Sequence, residues 1–243
     1  MPLVAAAVCP HPPALVPEIA AGAAAELNDL RAACDAAVDR LLGSPADRLL
    51  VVGSDSLTRE HPSPFYGSFA PWGVPLDVQL GDGMPRRYLP LPLSLLVAAW
   101  LLRRRAEHPR AERPMVWSMR GIAQDADPAD CVRLGESIDD PRPWAALVMG
   151  DGTACRGVKA PGYDDPRAQP YDDRVAEALA GADAAALRGL DPELSAQLLV
   201  AGRAPWQVLA GAAAAAGDGW RGDLTYYAAP YGVAYFVASW ESA

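Results

Sequence analysis

Three segments of this chain carry the residue types that could do chemistry. They are Cys9-Pro10-His11-Pro12-Pro13, Gly53-Ser54-Asp55-Ser56 and Gly150-Asp151-Gly152-Thr153-Ala154-Cys155. A histidine can move protons or bind a metal, a carboxylate can do either, and a thiolate can attack carbon. His11, Asp151 and Cys155 are therefore the catalytic candidates. Cys9, Asp55, Ser56 and Ala154 are the candidates to line a pocket with them. Each has a plainer reading as well. His11 between prolines can fix a turn by bonding backbone, Asp55 and Asp151 can cap turns, and Cys155 can be a small buried hydrophobe. Histidine is scarce, with only His11, His61 and His108 in 243 residues. His61 falls in a long loop and is expected to be exposed; His108 is expected to end a helix as a dipole partner.

Each of the three segments follows a short apolar run, which is how strands buried in a parallel sheet read. The runs are Leu3–Cys9, Leu49–Gly53 and Ala145–Gly150, and further strands are predicted at Met115–Met119, Asp223–Ala229 and Val233–Trp240. The last two join through Pro230-Tyr231-Gly232, which predicts an antiparallel hairpin. Helices are predicted at 17–42, 91–108, 128–138, 171–180, 192–201 and 205–216, from apolar positions spaced three and four apart. The Pro- and Gly-rich stretch 54–87 reads as a long loop crossed by one lone strand near 74–80. Strands alternating with helices give an α/β fold: one domain over 1–243, a mainly parallel central sheet flanked by helices, and a C-terminal antiparallel hairpin. In such sheets ligands bind beyond the carboxyl ends of the strands, so the three polar tips are expected to converge.

Composition narrows the function. A net charge of -9 lacks the basic footprint of a nucleic-acid binder. Arg103-Arg104-Arg105 reads as a helix end, where cations suit the dipole. The apolar run 89–102 is too short for a membrane span, and the N-terminus has no basic leader region. Four cysteines without C-x-x-C spacing are expected to be reduced, which suggests a cytoplasmic protein. No G-x-S-x-G elbow, no G-x-G-x-x-G opening a helix after a strand, and no H-x-x-x-H or paired-cysteine zinc spacing is present.

The ordered set of segments resembles the class III extradiol ring-cleavage dioxygenases (the LigB-like superfamily). Val4 to Pro12 is similar to the family's first strand and His-Pro turn. Val51-Val52-Gly53-Ser54-Asp55-Ser56 resembles the second strand, which in the family ends in Asp-His. Val148 to Ala154 resembles its Gly-Asp-x-Ser-His segment. Ala160 to Asp164, Tyr171-Asp172-Asp173, Asp191 to Gly202 and Tyr231 to Tyr235 follow in the family's order. The resemblance implies a non-haem ferrous ion held by two histidines and a carboxylate, a further acid/base histidine, and often a paired assembly. Carried over by position, the first metal histidine is His11, the second falls on Ser56, the acid/base histidine on Ala154 and the carboxylate near Val200. Three of those four cannot perform the role.

The expectation is therefore a divergent member that keeps the fold and the strand-tip pocket, lacks the usual iron site, carries no cofactor and, without ring cleavage, binds a small molecule or serves a partner. The first alternative is an active extradiol dioxygenase with ferrous iron or another divalent cation on a rearranged set of His11, His61 and Asp55. The second is a metal-independent enzyme in which Cys155 or Cys9 works with His11. No nucleic acid and no membrane is expected as a partner, and a homodimer is the assembly that the resemblance implies.

Overall fold

A computed structural model describes residues 3–83, 89–105 and 116–242. Its strands are β1 (Leu3–Cys9), β2 (Arg48–Asp55), β3 (Arg59–His61), β4 (Phe65–Ser68), β5 (Asp77–Leu80), β6 (Val116–Ala123), β7 (Trp144–Met149), β8 (Trp220–Ala228) and β9 (Tyr235–Ser242). Its helices are α1 (Pro17–Ala20), α2 (Asn28–Leu42), α3 (Leu93–Arg104), α4 (Pro128–Glu136), α5 (Ala168–Ala180), α6 (Ala184–Arg188), α7 (Pro192–Gln197) and α8 (Arg203–Ala216). His108 and the start of the strand predicted at Met115 lie outside the described residues.

The main sheet runs β3-β6-β2-β7-β1-β9-β8. Its centre, β6-β2-β7-β1, is parallel throughout, while β3, β9 and β8 join in antiparallel fashion. The sheet is thus mixed rather than mainly parallel, with as many antiparallel joins as parallel ones among the described residues. The closing β8–β9 pair is the predicted hairpin. The extra antiparallel edge is β3, a strand too short to show any alternation in sequence.

Apolar strands need cover on both faces, and alternation along each strand supplies two sets of side chains. Ala5, Ala7, Cys9, Leu49, Val51 and Leu147 meet α2 and α3 through Leu30, Val38, Leu95 and Val97. Ala6, Val8, Ala146 and Val148 meet α5 and α8 through Val175, Leu179, Trp206 and Leu209. Each Leu or Val so buried contributes about 1.5–3 kcal/mol relative to exposure.

Two predicted elements differ in detail. The helix predicted over 17–42 is interrupted: Ala21 takes a positive φ of 48°, and 3-10 turns run to Leu27 before α2 begins. The alanine-rich run before Leu27 has no large apolar side chain to anchor it, whereas α2 buries Leu30, Cys34, Val38 and Leu41. The predicted lone strand near 74–80 is β5, and it is paired with β4. That small sheet lays Phe65, Phe69 and Val78 into the α3 side of the core. No periodicity announces α6, a single turn and a half capped by Asp183, whose carboxylate accepts from Ala186 N at 2.9 Å.

Candidate functional site

The carboxyl ends of β1 and β7 are joined directly, because Gly150 N donates to Cys9 O at 3.0 Å. Glycine is required at 150: a Cβ there would stand 2.6 Å from Gly202 Cα and 2.8 Å from Trp206 Nε1. The segment beyond β7 is then laced down. Gly202 N donates to Asp151 O at 2.8 Å, Gly152 N to Ala234 O at 2.8 Å, and Ala154 N to Leu198 O at 2.9 Å. Asp151 is therefore held on a rigid tip.

His11 meets Asp151 from the β1 side. Its backbone N–H donates to Asp151 Oδ1 at 2.7 Å, and its ring Nδ1 stands 3.5 Å from the same oxygen. That ring contact is an ion-pair distance without a directed hydrogen bond, so Nδ1 is buried and unsatisfied. On the other side of the ring, Nε2 lies 3.5 Å from Ser54 Oγ. His11 and Ser54 are each 6% exposed. Burial pushes the Asp151 carboxyl above its ordinary range, and the His11 charge and backbone N–H pull against it. Ser54 is fixed through its own carbonyl, which accepts from Ser94 Oγ at 2.6 Å at the amino end of α3. Gly53 permits that approach, since a Cβ would stand 2.5 Å from Ser94 Oγ. Ser54 was not a candidate in the sequence; only its place at a strand tip could have marked it.

Asp55, the next residue, belongs to a different cluster, because neighbours on a strand point to opposite faces. Its carboxylate accepts from Arg59 Nε at 2.8 Å, Arg59 Nη2 at 3.2 Å and Ser56 N at 2.6 Å, and lies 3.1 Å from His61 Nε2. Gly121 across the ladder leaves the room, as a Cβ there would stand 2.5 Å from Asp55 Oδ2. Burial acts to raise the Asp55 pKa, but hydrogen bonds from Arg59, His61 and Ser56 hold it below the ordinary value. His61 is 2% exposed, not a loop residue in solvent. The reason is β3, which pairs His61 opposite Met119 and turns its ring onto Asp55. Burial lowers the His61 pKa despite that carboxylate.

A pH dependence follows. A histidine whose folded pKa lies below the unfolded value of about 6.5 supports folding fully only above that value. Its contribution is lost as pH falls from there toward the folded pKa. Urea unfolding between pH 7 and 5 is expected to show a steeper loss of stability in the wild type than in His61→Gln. Equal slopes would refute it.

The remaining candidates make other contacts. Ser56 is exposed, with its hydroxyl 3.2 Å from Asp55 Oδ1. Ala154 is buried and its side chain carries no donor. Cys155 turns its sulfur toward the carbonyls of Gly162 at 3.7 Å and Leu198 at 3.6 Å. Burial and the nearby Asp165 and Asp172 push its thiol up, away from the reactive thiolate. Cys155 does line a surface cavity of about 500 Å³, but with Arg156, Asp164, Asp165 and Gln169 rather than with His11, Asp151 or Asp55. Cys9 is fully buried beside Cys34, and both thiols are free. The expected pocket is thus split: Asp55 and Ser56 sit with Arg59 and His61, Cys155 lines a separate cavity, and His11 sits with Ser54 and Asp151.

The same split separates the three rearranged metal ligands: Asp55 and His61 are together, while His11 sits with Ser54 and Asp151. Among the described residues, no group of three or more His, Cys, Asp or Glu side chains is placed to share an ion. The donors present therefore do not fit a two-histidine, one-carboxylate iron centre.

Behind the tip lies a polar network that sequence reasoning missed. Asp172 is 0% exposed and accepts from Thr153 N at 2.9 Å, Thr153 Oγ1 at 2.7 Å and Arg156 Nη1 at 3.1 Å. Arg156 also donates to the Tyr227 hydroxyl at 3.2 Å, and that hydroxyl donates to Asp173 at 2.5 Å. These residues come from separate stretches of the chain, so no spacing announces them.

No protein-family model matches this chain, and no curated protein matches it. A solved structure of an uncharacterized protein from Escherichia coli K12 is similar over 98% of this chain and 100% of that chain, at 12% identity and a TM-score of 0.45.

Proposed function

We propose that this chain is a divergent relative of the class III extradiol dioxygenases that has lost the iron site and keeps a metal-free acid/base centre of His11 and Asp151, acting on a small molecule. The observation that carries this reading is the contact of His11 with Asp151 at two atoms on the joined tips of β1 and β7. The carboxylate anchors the His11 main chain and stands on the Nδ1 side of the ring, and a proton can be exchanged at Nε2, the ring nitrogen facing away from it. The residues at the other family positions support the same reading, since Ser56 is exposed and the Ala154 side chain has no donor.

The test is metal content together with oxygen uptake. Protein handled anaerobically with ferrous iron and then desalted is expected to hold no stoichiometric iron. It is expected to consume no oxygen with a panel of catechols. Stoichiometric iron that disappears in His11→Ala would overturn the proposal in favour of a rearranged dioxygenase.

A further inference from the structure

The His11–Asp151 couple has a third member. Ser54 presents its hydroxyl to the free ring nitrogen of His11, 3.5 Å from Nε2, while Asp151 faces Nδ1 at 3.5 Å. Hydroxyl, imidazole and carboxylate thus stand in the order that activates a serine: hydroxyl on one side of the ring, orienting carboxylate on the other. The distances are long for formed hydrogen bonds, as they often are before substrate tightens a site. We propose that Ser54 is a nucleophile activated by His11 and positioned by Asp151, and that the centre hydrolyses small carboxylic esters.

A further observation bears on it. Ser54 lies on a strand of the rigid sheet and its carbonyl is pinned by Ser94, so its hydroxyl is presented from a fixed backbone.

The chemistry balances without a cofactor. Ser54 Oγ bonds to the acyl carbon, its proton passes to His11 Nε2, and the ester C–O bond breaks as that proton goes to the departing alcohol. Water, deprotonated by His11, then releases the acid and restores the serine hydroxyl. The substrate class is small and uncharged around the acyl group, since His11 and Ser54 are almost fully buried and a carboxylate sits beside them.

This inference rests on the metal-free His11–Asp151 reading, and the experiment separates the two. Chelator-treated, folded protein is incubated with a small fluorophosphonate probe and followed by intact mass, while hydrolysis of p-nitrophenyl acetate is measured alongside. A single adduct on the peptide containing Ser54 is expected. Adduct and hydrolysis are both expected to fall at least about 100-fold in Ser54→Ala and in His11→Ala. Ser56→Ala, two residues away and exposed, is expected to keep both. Asp151→Asn should shift the pH profile of labelling as well as its rate, which a purely structural role would not do. If Ser54→Ala does not fold, Ser54→Cys serves instead, with iodoacetamide expected to alkylate position 54 in a His11-dependent manner. No adduct, or an adduct unchanged in Ser54→Ala, overturns the inference and leaves the iron-free reading standing. Iron bound through His11 overturns that reading and this inference with it.

Discussion

Asp172→Ala is expected to destabilise the protein by about 3–5 kcal/mol, because it breaks a buried ion pair from one side. Asp172 is completely enclosed, and its carboxylate collects both Thr153 donors and the Arg156 guanidinium. Burial pushes its pKa up even against those partners, so the network is a compensated cost rather than a large net gain. Removing the carboxylate leaves the Thr153 donors without that acceptor and Arg156 with the neutral Tyr227 hydroxyl in place of the Asp172 charge. A domain stable by about 5–15 kcal/mol loses much of its margin that way. The check is urea unfolding by two optical probes. Replacing both charges, as Asp172→Leu with Arg156→Met, is expected to recover part of the loss, since a matched apolar pair no longer buries an unpaired charge. A loss under about 1 kcal/mol for Asp172→Ala would refute the account. The effect should reach the site, because Thr153 follows Asp151 by two residues on the same tip.

The second large effect is expected at the crossing of α4 and α8. In an exposed helix, Gly→Ala stabilises by about 1 kcal/mol. At Gly211 the sign is reversed. A Cβ there would stand 2.1 Å from Val132 O, a main-chain atom that cannot rotate away, and the reciprocal position Gly135 faces Val208 O at 2.0 Å. The helices would have to separate, loosening Cys131, Val132, Ala204 and Val208 between them. Gly211→Ala is expected to lose about 3 kcal/mol, a fall in Tm of roughly 6–12 °C for a chain of this size. Gly22→Ala is the control, since nothing lies within 4 Å of its added methyl. A Tm for Gly211→Ala equal to that of the control would show that the crossing is looser than described.

Much of the frame was legible in sequence. The continuous apolar runs 3–9, 49–53 and 145–150 read as short strands buried on both faces, and they are β1, β2 and β7. The polar residues that follow each run sit at strand ends for the same reason. What escaped were β3 and β4, where three or four residues carry too little pattern to separate strand from loop. His61 escaped with them: read as loop it belongs in solvent, and paired in β3 it is enclosed against Asp55.

The sequence by itself determined which chemistry two of the positions picked out by the resemblance could not do. Ser56 and Ala154 have neither imidazole nor carboxylate, and no folding changes that. It also determined that His11, Ser54 and Asp151 would each stand at the end of a strand. Only the tertiary structure decided that these three meet. His11 and Ser54 are 43 positions apart, and His11 and Asp151 are 140 apart. Their meeting depends on β7 lying between β1 and β2 with Met149 level with both Cys9 and Gly53. It depends too on the two-residue period of a strand, which sends Ser54 to His11 and Asp55 to Arg59 and His61. Residue identity sets what a group can do, while strand order and register set which groups face each other.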